Sequence, residues 1–233
     1  MKLKSFIPDT ITLMNLLSGI IGVIFVFDGR PQLAFVMMLA AACFDFMDGA
    51  AARLLKAYSD LGKELDSLSD MVRFGVLPSL MMFCCAPSPW RWICLCLALF
   101  SALRLAKFNV DTRQSTNFLG IPTPSAAMLS GAVVCYASAS PDSMVADFAA
   151  SVWGLPLLTV ILSALLVCEI PMFSLKIKSL RDLPAPLKIF LPVCAGIIAA
   201  VLVLRIHLSA VIILFIAAYI IQNLITAIVA HEK

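Results

Sequence analysis

Apolar runs of about 17 to 25 residues, the length a helix needs to cross a hydrocarbon core, recur along this chain with only short polar breaks between them. They fall at about 10–28, 32–55, 68–86, 90–108, 122–140, 150–173, 185–204 and 207–230. With 62% hydrophobic and 13% charged residues among 233, the chain carries more apolar surface than a water-soluble core can bury. Inside a bilayer every backbone N–H and C=O must be satisfied within the protein, which leaves helices as the building unit for runs of this length. The expected fold class is therefore all-α: a polytopic membrane helix bundle of about eight transmembrane helices. The third run is short and contains Pro78, so a kink or tilt is expected there.

Basic residues orient such a bundle, because Lys and Arg concentrate in cytoplasmic loops. With the N-terminus inside, 14 of the 17 Lys and Arg fall on the cytoplasmic side, leaving Arg30, Arg91 and Arg205 outside. The expected topology is N-in and C-in within the cell (cytoplasmic) membrane. Met1-Lys-Leu-Lys4 followed by an apolar run has the look of a signal peptide, but without a small-x-small cleavage site a retained first helix is expected. The eight cysteines lie mostly inside apolar runs and form no C-x-x-C, so they are expected to pack as small hydrophobes. The two histidines, His207 and His231, lie far along the chain, which excludes histidine triads and His-rich metal sites. Nothing points to nucleic acid or to a redox cofactor.

Against this background four carboxylates stand out. Asp45 and Asp48 are three residues apart at the end of the second run, and Asp66 and Asp70 are four apart at the start of the third. On helices the members of each pair share a face, about 60° and about 40° apart respectively. Lys56–Glu64 between the pairs reads as a polar turn, so antiparallel neighbours would bring all four acids together. A carboxylate at a bilayer's centre costs roughly 2.5 to 3.5 kcal/mol, and like charges at close range repel unless a cation lies between them. Hard oxygen donors favour Mg²⁺, Mn²⁺ or Ca²⁺ over zinc. Gly49-Ala-Ala-Ala52 bares the helix backbone beside Asp48, which suits a ligand lying flat and equally suits close helix packing. Arg53 offers a forked donor to phosphate or a side chain that snorkels to the interface. The spacing does not match a calcium-binding EF-hand, and neither a phosphate-binding lysine loop nor a G-x-S-x-G element is present.

Written as a pattern, Asp45-x2-Asp48-Gly49-x2-Ala52-Arg53-x8-Gly62-x3-Asp66-x3-Asp70 resembles the motif of the CDP-alcohol phosphotransferase family at each defined position. Three further segments resemble elements of the bacterial phosphatidylserine synthase branch of that family. They are Phe6-Ile-Pro-Asp9-Thr-Ile-Thr12-Leu-Met-Asn15, Arg104-Leu-Ala-Lys107-Phe-Asn109 and Phe118-Leu-Gly120-Ile-Pro122-Thr-Pro124. Three positions depart from the family pattern: Asp9 stands where Asn is usual, Lys107 where a second arginine is usual, and Arg73 where a small residue is common.

The resemblance implies a membrane enzyme in which Asp45, Asp48, Asp66 and Asp70 ligate two divalent cations, Mg²⁺ or Mn²⁺ with Ca²⁺ possible in one site. Asp70 would also be the catalytic base. Thr12, Asn15, Gly49, Ala52, Arg53, Ser59 and Gly62 would contact CDP-diacylglycerol. Arg104, Lys107, Asn109 and Arg113 would hold L-serine, whose hydroxyl attacks the lipid-bearing phosphorus and displaces CMP. The resemblance further implies one domain over 1–233, with a catalytic core of about 1–173 and extra helices at about 185–230, a homodimer, and a site facing the cytoplasm. A different acceptor, such as glycerol phosphate or inositol phosphate, is the alternative within the family. A divalent-cation transporter is the alternative outside it.

Overall fold

The computed structural model describes residues 6–57, 59–87, 89–110, 118–172, 192, 193, 196 and 207–231. The chain enters as helix α1 (Phe6–Phe27) and turns at Asp28–Arg30 into α2 (Pro31–Leu55). Gly29 takes φ +69 in that turn, where a side chain would be strained, and Pro31 starts α2 at a position that needs no amide hydrogen. The two helices pack along their length. Gly22 makes room there for Leu77, whose Cδ2 would lie 2.7 Å from a Cβ at that position, with Ala34 O of α2 at 3.4 Å.

Helix α2 ends on Lys56, which adopts φ 48 and donates its amide back to the Ala52 and Arg53 carbonyls, the left-handed cap that closes many helices. Ser59 then caps α3 (Asp60–Asp70), accepting a hydrogen bond from the Gly62 amide at 3.0 Å. The polar turn is thus shorter than the sequence suggests. Helix begins at Asp60, because a serine cap followed by Asp60 in the first turn complements the exposed amides and the helix dipole.

From α3 the helix continues through a wider π-helical stretch, Met71–Val76, into α4 (Leu77–Cys85). Pro78 explains the widening. Its ring would strike the carbonyl four residues back and it has no amide hydrogen to give. The chain accommodates it by shifting register, so that the Leu77 amide bonds to Val72 O, five residues back. The kink or tilt expected at Pro78 is thus met here by a change of register within one continuous helix, Asp60–Cys85. A 3₁₀ segment (Pro89–Leu95) leads into α5 (Cys96–Val110).

Helix α6 (Thr123–Ala139) runs through the middle of the bundle, with Ala126, Ala127, Ser130, Gly131, Ala132 and Val134 all buried. Its small residues receive larger ones from α2: a Cβ on Gly131 would sit 2.4 Å from Met38 Cε. Helices α7 (Met144–Ala150) and α8 (Gly154–Val167) meet at 89°. Gly154 makes that corner possible, since a Cβ would lie 1.9 Å from Phe148 O. Phe118–Leu119 (β1) pairs antiparallel with Pro171–Met172 (β2), a small addition to an otherwise helical fold. Gly120, at φ +72, fits among the carbonyls that end α8. The last described helix, α9 (Ser209–His231), packs on α6.

Five helical segments among the described residues are long and apolar enough to cross a membrane, and the bent α7–α8 pair brings the number to six where it is counted as one broken span. The span expected at 185–204 lies largely outside the described residues. Large apolar side chains face outward along the bundle, for example Leu13, Leu17 and Ile24 on α1 and Leu99 and Leu103 on α5, as lipid-facing helices require. The seven described cysteines are free thiols. At one end of the bundle Gly29, Pro31, Cys85, Pro141 and Asp147 share a cavity of about 510 Å³. The acidic residues gather at the other end.

Candidate active site

The hairpin from α2 through Lys56–Ser59 into α3 sets the geometry. Ligand oxygens of Asp45, Asp48 and Asp66 all lie within 4.8 Å of one another. Asp48 is buried, and its Oδ2 accepts a hydrogen bond from Thr12 Oγ1 on α1 at 2.8 Å. Asp66 Oδ1 is buried with no hydrogen-bond partner. A buried, unpartnered carboxylate oxygen within a cluster of acids is costly unless a cation completes it. Oxygen donors of this kind suit a hard divalent ion, so the residues present fit one.

Asp70 takes a different partner. Its Oδ1 is bound by Arg73 Nη2, and the same nitrogen lies 2.6 Å from Asp45 Oδ1. Arg73 is completely buried, and its Nη1 donates to Ala41 O at 2.9 Å. The chain thus brings all four acids to one seam, three around a common point and the fourth tied to Asp45 by a guanidinium. Arg73 is a participant that spacing alone does not announce. Its signal in the sequence was its departure from a small residue, one turn after Asp70.

Beside the acids lies a pocket of about 230 Å³ lined by Thr12, Asp48, Gly49, Ala52, Ser59, Gly62 and Asp66, together with Pro8, Asp9, Ala57 and Lys63. Five of the seven residues expected to contact the CDP-lipid thus share its wall. Gly49 faces open space, with nothing within 4 Å of where a Cβ would stand. Gly62 is confined, because a Cβ would come within 2.9 Å of Asp9 Oδ1 and 3.0 Å of Ser59 Oγ.

Arg53 is exposed on the last turn of α2 and is absent from the lining. Five residues past Asp48, it points about 140° around the helix from that side chain. Lys63 supplies a basic group in the lining. It falls among the unspecified positions of the motif, so spacing carried no weight for it. Asn15 is fully buried on α1 outside the lining, with neither amide atom partnered.

The residues expected to hold an acceptor carboxylate distribute as follows. Arg104 is buried on α5, donates to Thr123 Oγ1 at 3.2 Å, keeps an unpartnered Nε, and lies within electrostatic range of Asp70. Asn109 Nδ2 donates to Ser67 Oγ at 2.9 Å, on the turn of α3 between Asp66 and Asp70. Lys107 pairs with Glu169 at 3.3 Å on a more exposed surface. Arg113 lies outside the described residues. Thr123 and Glu169 were not singled out from the sequence, since a hydroxyl on a helix start and a loop acid carry no pattern of their own.

Comparison with known proteins addresses the whole arrangement. The chain is 32% identical over 207 residues to the CDP-diacylglycerol–serine O-phosphatidyltransferase of Mycobacterium bovis, covering 84% of this chain and 70% of that protein. It is 37% identical over 128 residues to the enzyme of the same name from Bacillus subtilis, covering 53% of this chain and 72% of the relative. It is also 37% identical over 135 residues to the archaetidylserine synthase of Methanothermobacter thermautotrophicus, covering 54% and 58%. The family model for CDP-alcohol phosphatidyltransferases matches residues 5–170, a stretch that holds the four acids, the small-residue pocket, Arg73 and Arg104. On that match the chain belongs to the CDP-alcohol phosphatidyltransferase family.

Proposed function

We propose that this protein transfers the phosphatidyl group of CDP-diacylglycerol to the hydroxyl of L-serine, releasing CMP. The observation that carries the reading is the convergence of Asp45, Asp48 and Asp66 beside a pocket walled by Gly49, Ala52, Ser59 and Gly62. Carboxylates that gather a divalent ion next to bare helix backbone make a seat for a pyrophosphate. The relatives named for serine transfer supply the acceptor.

A divalent ion, Mg²⁺ or Mn²⁺, would be held by Asp45, Asp48 and Asp66, and when bound it would offset the charge of the diphosphate and of the departing CMP. Thr12 holds Asp48 in place from α1, in the manner of an outer partner that fixes a ligand's orientation. Ser59 and Gly62 line the pocket with Lys63, which adds positive charge toward the phosphates. Asp70 is the base: with Oδ1 held by Arg73, Oδ2 is the atom that takes the proton from the serine hydroxyl as the hydroxyl oxygen attacks phosphorus in line. Arg104 and Asn109 receive the serine carboxylate, Arg104 through the Nε that has no partner within the protein.

The site lies at the end of the bundle where α2 turns into α3, opposite the Gly29–Pro141 cavity. The basic bias of the loops makes this the cytoplasmic face, where a water-soluble amino acid can meet a headgroup whose acyl chains stay in lipid. The reading includes one domain over 1–233 with its catalytic core at about 1–173, and a homodimer associating through outward apolar helix faces, which crosslinking in native membranes would detect.

The test is direct. Membranes containing the protein are incubated with CDP-diacylglycerol and, in parallel, labelled serine, glycerol 3-phosphate or inositol phosphate. Labelled lipid should form with serine, accompanied by an equal amount of CMP. Label entering lipid from a phosphorylated alcohol instead would overturn the acceptor assignment, and metal uptake into proteoliposomes without CMP release would overturn the enzyme reading.

A further inference from the structure

The seam between α2 and α3 already contains one permanent positive charge. Arg73 is fully buried, and a single nitrogen of its guanidinium, Nη2, reaches both Asp45 Oδ1 and Asp70 Oδ1. Nη1 is fixed on Ala41 O. The stem is packed from the other side by α1, where a Cβ on Gly19 would come within 3.4 Å of Arg73 Cβ. The carboxylates that meet without Arg73 are Asp45, Asp48 and Asp66; Asp70 is not among them.

A second divalent ion shared between Asp45 and Asp70 would compete with Nη2 for the Oδ1 atom of each. Two cations cannot share the same lone pairs, and a hard divalent ion needs about six oxygen donors at close range. An ammonium could yield by losing its proton, but a guanidinium stays charged at any physiological pH. Removing it would leave Asp45 and Asp70 facing each other with no cation between them, a repulsion that a metal would relieve.

We infer that Arg73 is the fixed counter-cation of this site, holding Asp45 and Asp70 so that the substrate-free protein binds one divalent ion, at Asp45, Asp48 and Asp66, in place of two. This rests on the reading of the acidic cluster as a metal site. It assigns Asp70 to proton transfer and to Arg73, outside the set of metal ligands.

The experiment counts metal and needs no turnover. Detergent-purified protein is stripped with EDTA, dialysed against Mn²⁺, and the bound ion counted by elemental analysis, with Mn²⁺ titration followed by electron paramagnetic resonance. The wild-type chain should bind one equivalent and Arg73→Ser two. Asp70→Asn, which changes one oxygen to an amide and supplies a check should Arg73→Ser not fold, should still bind one. Two tight equivalents in the wild type, one in a folded Arg73→Ser protein, or loss of the ion in Asp70→Asn would each overturn the inference while leaving serine transfer standing. No Mn²⁺ at all in the wild type would overturn both this inference and the metal reading beneath it.

Discussion

Gly49→Ala separates the demands of the fold from those of the ligand. Gly49 lies inside α2, and a Cβ there would meet no protein atom within 4 Å, yet the residue lines the pocket beside Asp48. Replacing an interior helical glycine with alanine stabilises a helix by about 0.8 to 1.0 kcal/mol. For a chain of this size each kcal/mol moves the melting temperature by roughly 2 to 4 °C, so the variant should melt slightly higher. The same methyl projects into space reserved for the CDP-lipid. Forcing a methyl into an occupied, well-packed site costs about 1 to 3 kcal/mol, or about 5- to 150-fold in affinity. Thermal unfolding in detergent and mixed-micelle kinetics with varied CDP-diacylglycerol would read the two effects on one sample. Expected together are a raised melting temperature, a raised KM for CDP-diacylglycerol and an unchanged KM for serine. An unchanged KM for the lipid would refute the reasoning, because it would show that nothing lies against Gly49 during turnover. Gly62→Ala is the contrasting control. Its Cβ would press on Asp9 and on the Ser59 cap, so stability and activity should fall together.

Thr12→Val removes the donor to Asp48 and leaves a buried carboxylate oxygen without its partner; outer partners of this kind typically account for 10- to 100-fold in metal affinity, so the Mg²⁺ concentration giving half-maximal activity should rise by about that factor. EDTA should abolish activity, with Mg²⁺ or Mn²⁺ restoring it, and should lower the melting temperature, since an ion at about 100 times its Kd contributes about 2.7 kcal/mol; full activity in excess chelator would rule out the metal. Arg104→Gln should raise the KM for serine by about 10- to 100-fold, the worth of a charge-assisted hydrogen bond of about 1.5 to 3 kcal/mol, with little change in the KM for CDP-diacylglycerol; the opposite pattern would move Arg104 to the nucleotide side. Asp70→Asn should stop CMP release while binding of CDP-diacylglycerol stays measurable, and retained turnover would remove Asp70 as the base.

The acidic pairs were legible because helical spacing fixes which side chains share a face, and because four carboxylates in so apolar a chain are too costly to be incidental. Thr12, Gly49, Ala52, Ser59 and Gly62 came from a resemblance, and they share one pocket wall. What stayed hidden depended on contacts between segments distant in sequence. The tie from Arg73 to Asp45 links α2 to the π-helical stretch after α3, and no local period encodes it. Lys63 and Asp9 line the pocket because the α2–α3 turn closes at Ser59 and α1 lies across it, again a matter of packing. The helix start at Asp60 was readable in principle from the serine cap, but the charged stretch after it has the composition of a loop, and its packing against α1 is invisible in the sequence. The bend between α7 and α8 and the pairing of β1 with β2 likewise join segments whose partners the sequence does not name.

The widened turn at Met71–Val76 has a consequence for how this helix can change. An ordinary α-helical register through the same residues would rotate everything beyond it by roughly one residue's worth, about 100°. Asp66 and Asp70 on one side, and Leu77 and Met81 in the bundle centre on the other, are therefore kept in phase by a local offset next to Pro78. Deleting one residue within 71–76 while replacing Pro78 with alanine should restore a straight helix with both ends still correctly aimed. Pro78→Ala alone would turn the charged end and the oily end out of phase if residues 71–76 closed into an α register, whereas the deletion alone would keep them in phase but press the Pro78 ring on the carbonyl four residues back.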